Sequence, residues 1–208
     1  YLKYGVVEGK RLSSTPTVVP GFVRPGVGLF SGIPLTSSSA EKSSIDSAES
    51  LFFDLVLVTY NSGKWIDTCL NSLLTHDKTI TLTIVDNAST DDTINKISVF
   101  SNQFSHFTII QNSTNTGFGV ANNQGAEVGS NRYLVFLNID TELHDPQVFL
   151  KLSDIVKRSA NDVAAWEFRQ LPYEHPKCYD PVSLETSWFS GAAVTVKREA
   201  FEAVNGFD

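Results

Sequence analysis

A chain of 208 residues, 41% hydrophobic and 19% charged, is long enough for a sizeable core, and its 16 basic against 23 acidic side chains give a formal charge of −7. With no basic excess to neutralise phosphates, that balance argues against nucleic acid or an anionic membrane surface as the main partner. A small phosphorylated ligand, held by backbone N–H groups and a metal ion, remains open to it.

Cys69 and Cys178 lie outside any C-x-x-C spacing and read as unpaired thiols of a reducing compartment. No apolar run approaches the roughly 20 residues needed to cross a bilayer, and no signal pattern opens the chain. With no Met at all, a start at Tyr1 and a stop at Asp208, the sequence reads as a piece of a longer polypeptide.

Residues 1–50 read as an irregular N-terminal extension or linker. Pro16, Pro20, Pro25 and Pro34 alternate with Gly21, Gly26, Gly28 and Gly32, which blocks a long helix, while Thr17–Val19 and Gly28–Phe30 can form edge strands. From Leu51 to Asp208 the texture is that of one α/β domain. Leu51–Thr59 is a buried strand ending in a Tyr60–Gly63 loop whose Asn61 or Ser62 can cap a helix. Trp65, Ile66, Cys69, Leu70, Leu73 and Leu74 then recur at helical spacing. Ile80–Val85 is a second strand, with Ser89 or Thr90 capping a helix over about 91–102. Phe107–Gln111 is a third strand, and the Gly- and Asn-rich turn Asn115–Gly125 opens another helix. Tyr133–Asn138 reads as a buried strand, Val148–Arg158 as a helix and Val163–Phe168 as a strand. The polar Leu171–Leu184 segment reads as a loop, followed by a Ser190–Val196 strand and an Arg198–Val204 helix. Strands and helices alternating at this spacing predict a parallel sheet flanked by helices.

Three strands end in polar clusters, Thr59/Asn61, Asp86/Asn87 and Asn138/Asp140, and in such a sheet these ends share one edge where ligands collect. Asp86 can accept hydrogen bonds from a base or ribose, or it simply caps the following turn. Asp140 suits a hard divalent cation that keeps positions for phosphate oxygens, or it closes the turn before Pro146. The G-x-G of Gly117 and Gly119 is followed by Asn122 where a dinucleotide fingerprint has glycine, and it follows the third strand, so an NAD site is discounted. Asn87-Ala88-Ser89 and Asn112-Ser113-Thr114 match the glycosylation sequon by chance. His76 and His106 fall near element ends, where a solvated imidazole is expected. His144 lies near Asp140, and His175 sits in the polar loop.

Val58-Thr59-Tyr60-Asn61-Ser62, Val85-Asp86-Asn87-Ala88-Ser89-Thr90-Asp91, Asn115-x-Gly117-Phe118-Gly119-x-Ala121-Asn122-Asn123-x-Gly125 and Phe136-Leu137-Asn138-x-Asp140 occur in this order. Together with Ser190-Gly191-Ala192 and Gly206-Phe207-Asp208, the set resembles family 2 glycosyltransferases of the inverting GT-A fold, especially the rhamnosyl- and galactofuranosyl-transferase-like branch. The resemblance implies a mostly parallel, Rossmann-like sheet flanked by helices. It further implies transfer of a sugar from a UDP- or dTDP-sugar to a saccharide or lipid-linked saccharide acceptor, in bacterial cell-surface polysaccharide synthesis.

Under it, Thr59, Asn61, Asp86, Asn87, Asp91, Asn115, Gly117, Asn122 and Asn138 would bind the nucleotide sugar. Asp140 would hold Mg²⁺ or Mn²⁺, with Asn138 standing where the family's D-x-D motif has its first Asp. Trp188, Ser190 and Gly191 would face the acceptor. The family's base usually lies in an acidic pair shortly after Gly-Phe-Asp, so it is expected beyond Asp208. The implied setting is cytoplasmic, peripheral at the inner face of the membrane, with further domains of the same polypeptide as neighbours. A non-catalytic or degenerate nucleotide-sugar-binding module is the rival reading.

Overall fold

In a computed structural model, the protein is described for residues 2–9 (backbone only), 52–172, 186 and 188–208. The expected extension over 10–50, the polar loop with His175, and Cys178 lie outside the described residues.

The elements run β1 (Leu2–Gly9), β2 (Phe53–Thr59), α1 (Gly63–Leu74), a 3₁₀ turn at Asp77–Thr79, β3 (Ile80–Asp86), α2 (Thr93–Phe100) and β4 (Phe107–Gln111). Then come α3 (Phe118–Ala126), β5 (Tyr133–Asn138), β6 (Thr141–Leu143), α4 (Val148–Arg158), β7 (Ala165–Leu171), β8 (Ala193–Lys197) and α5 (Arg198–Ala203). The strands form one sheet in the order β4-β3-β2-β5-β8-β7-β1-β6. β4, β3, β2 and β5 are mutually parallel; β2, β3 and β5 are almost wholly buried, as suits a parallel sheet covered on both faces, while β4 at the edge is only partly buried.

β8 departs from the parallel expectation, running antiparallel to both β5 and β7. β7 ends on the edge where β8 begins, and a chain that turns back at one edge pairs antiparallel. Residues 2–9 also differ from the irregular extension expected of 1–50. Their backbone forms a strand between β7, antiparallel, and the three-residue β6, parallel.

Two faces are covered. On one, Leu55 and Leu57 of β2 pack with Ile66, Cys69, Leu70 and Leu73 of α1 and Val148, Phe149 and Leu152 of α4. These helical residues recur at three- and four-residue intervals, which aligns them on one face. On the other, Val56, Leu134, Phe136 and Val194 meet Ala126 and Phe201, so successive β2 residues serve opposite layers. Each fully buried Leu, Val or Phe stabilises the fold by about 1.5–3 kcal/mol relative to exposure. α3 lies unusually close to the sheet at Gly125, where a Cβ would stand 2.3 Å from Val56 Cγ1. Only glycine fits there.

His76 is buried at 4% exposure, edge-on to Phe149 with ring centroids 5.1 Å apart, and is not the solvated residue expected. It sits just before the polar 3₁₀ turn, packed against Phe149 of α4. Desolvation there lowers its pKa to about 4, only partly opposed by Asp145.

Candidate active site

The register brings the three polar strand ends together. Thr59 of β2 stands opposite Asp86 of β3, and Val58 of β2 opposite Asn138 of β5. On the other flank of β5, Leu137 faces Ala193, which places Ser190–Ala192 beside the same edge; the Asn138 N–H donates to the Ala192 carbonyl at 2.8 Å.

Asp86 is 2% exposed and accepts from three donors. The Thr59 hydroxyl donates to Oδ1 at 2.8 Å, the Ser89 hydroxyl to Oδ1 at 2.5 Å, and the Ser89 N–H to Oδ2 at 2.9 Å. Ser89 is therefore not the helix cap the sequence suggested. It wraps around Asp86, a position reached because Ala88 adopts φ +64°. Its hydroxyl also accepts the Asn61 N–H at 2.8 Å, and the Thr90 N–H donates to Asn61 Oδ1 at 2.8 Å. Asn61, at φ +48°, thus cross-links the loops after β2 and β3.

Asp91 braces two helices. It accepts the Gly63 N–H at the start of α1 at 3.1 Å, and the Thr93 N–H at the start of α2 at 3.0 Å. The Thr93 hydroxyl donates to it at 2.5 Å and, with these N–H groups, holds its carboxyl below the usual carboxylate range. The caps expected of Ser62, Ser89 and Thr90 are replaced by this one residue, because its short side chain reaches both helix starts. Helix α2 accordingly begins at Thr93 and not near 91.

Asn87 is buried and anchors the next loop. Its amide donates to the Gly117 carbonyl at 3.1 Å, and its Oδ1 accepts from the Thr116 hydroxyl at 3.0 Å and Asn112 Nδ2 at 2.9 Å. Asn112 also donates to Gln124 Oε1 at 2.8 Å, tying the loop to α3. Asn112, Thr116, Gln124 and Ser89 were missed as parts of the site: the first three are ordinary polar residues whose partners lie elsewhere in the chain, and Ser89 reads locally as a helix cap, not as a partner of Asp86. Gly117 takes φ +89°, which a side chain would strain, and its N–H donates to exposed Asn115 Oδ1 at 2.9 Å. Asn122 is buried on α3 and donates to the Phe118 carbonyl at 2.9 Å.

At the end of β5 the Thr141 hydroxyl donates to the Asn138 carbonyl at 2.6 Å, closing the turn that carries Asp140. Asn138 Oδ1 is buried without a partner. Asp140 is half-buried and takes part in no hydrogen bond or ion pair among the described residues. Two oxygens of hard character thus stand two residues apart, unclaimed by protein donors. Their chemistry fits Mg²⁺ or Mn²⁺, which are held by one or two protein oxygens together with substrate phosphates. No cluster of three His, Cys, Asp or Glu exists among the described residues. His144 lies 3.6 Å from Glu142 Oε2 and is exposed.

On the opposite flank the Ser190 N–H donates to Oε1 of buried Glu167 at 3.0 Å, and the Ala192 N–H to Ser190 Oγ at 3.3 Å. Trp188 is 40% exposed, and Gly191 is exposed. The terminal segment docks on α3, where Asn123 exchanges two hydrogen bonds of 2.9 Å with the Phe207 backbone.

The sequence profile of glycosyl transferase family 2 matches residues 54–177, more than half of the chain. An uncharacterised glycosyltransferase, YibD of Escherichia coli K12, is 28% identical over 121 residues, covering 56% of this chain and 35% of that protein. A PGL/p-HBAD biosynthesis glycosyltransferase of Mycobacterium bovis is 25% identical over 151 residues, covering 72% of this chain and 54% of its own. The chain therefore spans between a third and little more than half of the curated relatives it matches.

Among solved structures, the mannosyltransferase PcManGT of Pyrobaculum calidifontis, in complex with GDP-Man and Mn²⁺, superposes with a TM-score of 0.61 at 18% identity. The match covers 77% of this chain and 48% of that one. TarS 1–349 of S. aureus gives 0.56 at 17% identity over 74% of this chain and 49% of that one. These likenesses show the α/β fold. By its profile match and its fold, the chain belongs to glycosyl transferase family 2.

Proposed function

We propose that the chain is the donor-binding part of a glycosyltransferase that moves a sugar from a nucleoside-diphosphate sugar to a saccharide acceptor. The observation that carries this is the convergence of Thr59, Asp86, Asn87, Asn138 and Asp140 on one edge of the sheet, with two oxygens left without protein donors. Asp86, held by Thr59 and Ser89, offers its remaining acceptor to the base or ribose. The Asn115–Gly117 turn, pinned by Asn87, brings backbone close to where the ribose and diphosphate would lie. Asn61 and Asp91 keep the surrounding loops in place. Asp140 and Asn138 would hold Mg²⁺ or Mn²⁺, which when bound neutralises charge on the departing diphosphate. Trp188, Ser190 and Gly191, beside the end of β5, would face the acceptor, whose hydroxyl displaces the nucleotide with inversion.

The donor is read as a UDP- or dTDP-sugar and the pathway as cell-surface polysaccharide synthesis, both from the motif resemblance. PcManGT carries GDP-Man and Mn²⁺, which supports a nucleotide sugar and a divalent ion in this fold. Among the described residues no helix is long and apolar enough to cross a membrane. A cytoplasmic, peripheral setting is part of the proposal, and residues 1–50 are read as a connection to other parts of the polypeptide, β1 included. One observation favours a second reading, a module that binds nucleotide sugar without turnover: Asn138 supplies a neutral oxygen where a carboxylate is expected.

The test is thermal unfolding of the chain with UDP, dTDP or GDP, with and without Mn²⁺. A rise in Tm that grows with Mn²⁺ is expected, with the Mn²⁺ increment lost in Asp140→Ala and the whole shift lost in Asp86→Ala. No shift with any diphosphate overturns the donor-binding reading.

A further inference from the structure

A carboxylate that holds a metal ion is usually steadied by hydrogen bonds of its own. Among the described residues Asp140 has none, and Asn138 Oδ1 is buried without a partner. Where these two oxygens stand is therefore inherited from the backbone of residues 138–143.

That backbone is gripped from two sides. On the β8 flank the Ala192 carbonyl accepts the Asn138 N–H at 2.8 Å. Within the turn the hydroxyl of Thr141, a residue 1% exposed, donates to the Asn138 carbonyl at 2.6 Å. Helix α1 supplies the other side. Cys69, fully buried, lies against the Thr141 side chain. Three residues on, and so on the same helix face, Ser72 Oγ accepts the Leu143 N–H at 3.1 Å. The Ser72 hydrogen is committed to the Cys69 carbonyl at 2.7 Å, which fixes the direction of its lone pairs. The helix itself has little room to shift. Ile66, Leu70 and Leu73 are wholly buried, the Gly63 N–H is held by Asp91, and Lys96 Nζ donates to the Gly63 carbonyl at 2.7 Å.

We propose that Ser72, together with Thr141, is a positioning residue for the metal turn: its grip on the Leu143 N–H, and that of Thr141 on the Asn138 carbonyl, set the backbone that brings Asp140 and Asn138 Oδ1 to one divalent cation. The inference rests on the metal reading above and adds a residue outside every motif of the family resemblance. Because α1 begins at the loop that carries Asn61, the same helix also spaces the metal turn from the nucleotide loops.

The test is calorimetric titration of the whole 208-residue chain with UDP, or with dTDP or GDP where either binds more tightly, once in saturating Mn²⁺ and once in EDTA. The ratio of the two Kd values measures what the metal adds. In the wild type the nucleotide is expected to bind at least about tenfold more tightly with Mn²⁺. Ser72→Ala and Thr141→Val should each lower that ratio by about fivefold, the worth of one hydrogen bond, with the Kd in EDTA unchanged. Ser72→Thr and Thr141→Ser, which keep the hydroxyl, should restore it. A residue that merely supports the fold would weaken binding in both buffers alike, so the ratio separates the two roles. Should either hydroxyl-free variant fail to fold, the other decides.

A ratio unmoved by the substitution, or Kd values that rise equally in both buffers, overturns the inference and leaves the metal reading in place. A wild-type Kd indifferent to Mn²⁺ removes the metal reading and this inference together. Absence of binding in either buffer removes the donor reading as well.

Discussion

Ala88 stands at φ +64°, a left-handed conformation that costs an L-residue about 1–2 kcal/mol, because it turns Ser89 back onto both oxygens of Asp86. Ala88→Gly should relieve that cost and stabilise the protein by about 0.5–1 kcal/mol in urea unfolding. Asn61, at φ +48°, behaves oppositely. Asn61→Gly keeps the backbone but loses the Oδ1 acceptor of the Thr90 N–H, and a net loss of about 1 kcal/mol is expected in the same assay.

His76 carries a pH signature. Its folded pKa, near 4, lies below the unfolded value of 6.5, so between these values the unfolded chain binds a proton that the folded one refuses. Stability from this group is complete above pH 6.5 and falls as the pH drops toward 4, by on the order of 2–3 kcal/mol. His76→Leu should remove that component. Unfolding free energies of both proteins at pH 7.5, 5.5 and 4 measure it as the difference between their slopes. Cys69, fully buried beneath the site, has its thiol pushed up to about 12 by desolvation, which explains an inert residue and not a nucleophile.

At the scale of elements, the end of the sheet opposite the site is locked by Arg198 at the start of α5. Its guanidinium donates to Asp54 Oδ2 and to the Ala126 carbonyl at 2.7 Å, and to the Asn131 carbonyl at 2.8 Å, joining β2, α3 and the β5 approach. Asn131 adds two hydrogen bonds to the same Asp54 carboxylate, from its N–H at 2.8 Å and its Nδ2 at 2.7 Å. Arg198→Ala leaves Asp54, 3% exposed, without its counter-charge. A loss of about 3–5 kcal/mol is expected from urea unfolding, and Arg198→Met with Asp54→Leu should recover much of it. Neither residue is conspicuous in the sequence, because a buried ion pair has no local period. The helices were legible because α1 and α4 repeat their apolar residues every three or four positions. The three-residue β6 carries no such pattern, and β1 lay within a segment whose Pro and Gly content masks any period.

At the scale of the molecule, Asn123 joins α3 to a segment 84 residues away through its two hydrogen bonds with Phe207. The Phe207 ring packs on Phe136 and Phe201 at centroid distances of 4.9 and 5.3 Å. Asn123→Ala should cost about 1–3 kcal/mol. Amide exchange is expected to rise in both 117–126 and 204–208, a paired response that a purely local defect would not give.

The buried strands β2, β3 and β5, the polar clusters at their ends, the edge strand β4 and the order of the motifs were all readable from the amino-acid sequence. Apolar runs and the switch to Asn and Asp are local properties of the chain. What tertiary structure decided was which partner each polar group serves. Asn61 and Asp91 face other loops, Ser89 closes on Asp86 and Asn87 holds the Gly117 turn, whereas Asp140 and the Oδ1 of Asn138 are left without protein partners. Apart from Ser89, three residues from Asp86, these bonds join loops 28 to 30 positions apart in sequence, and such distances exist only once the sheet has set its register.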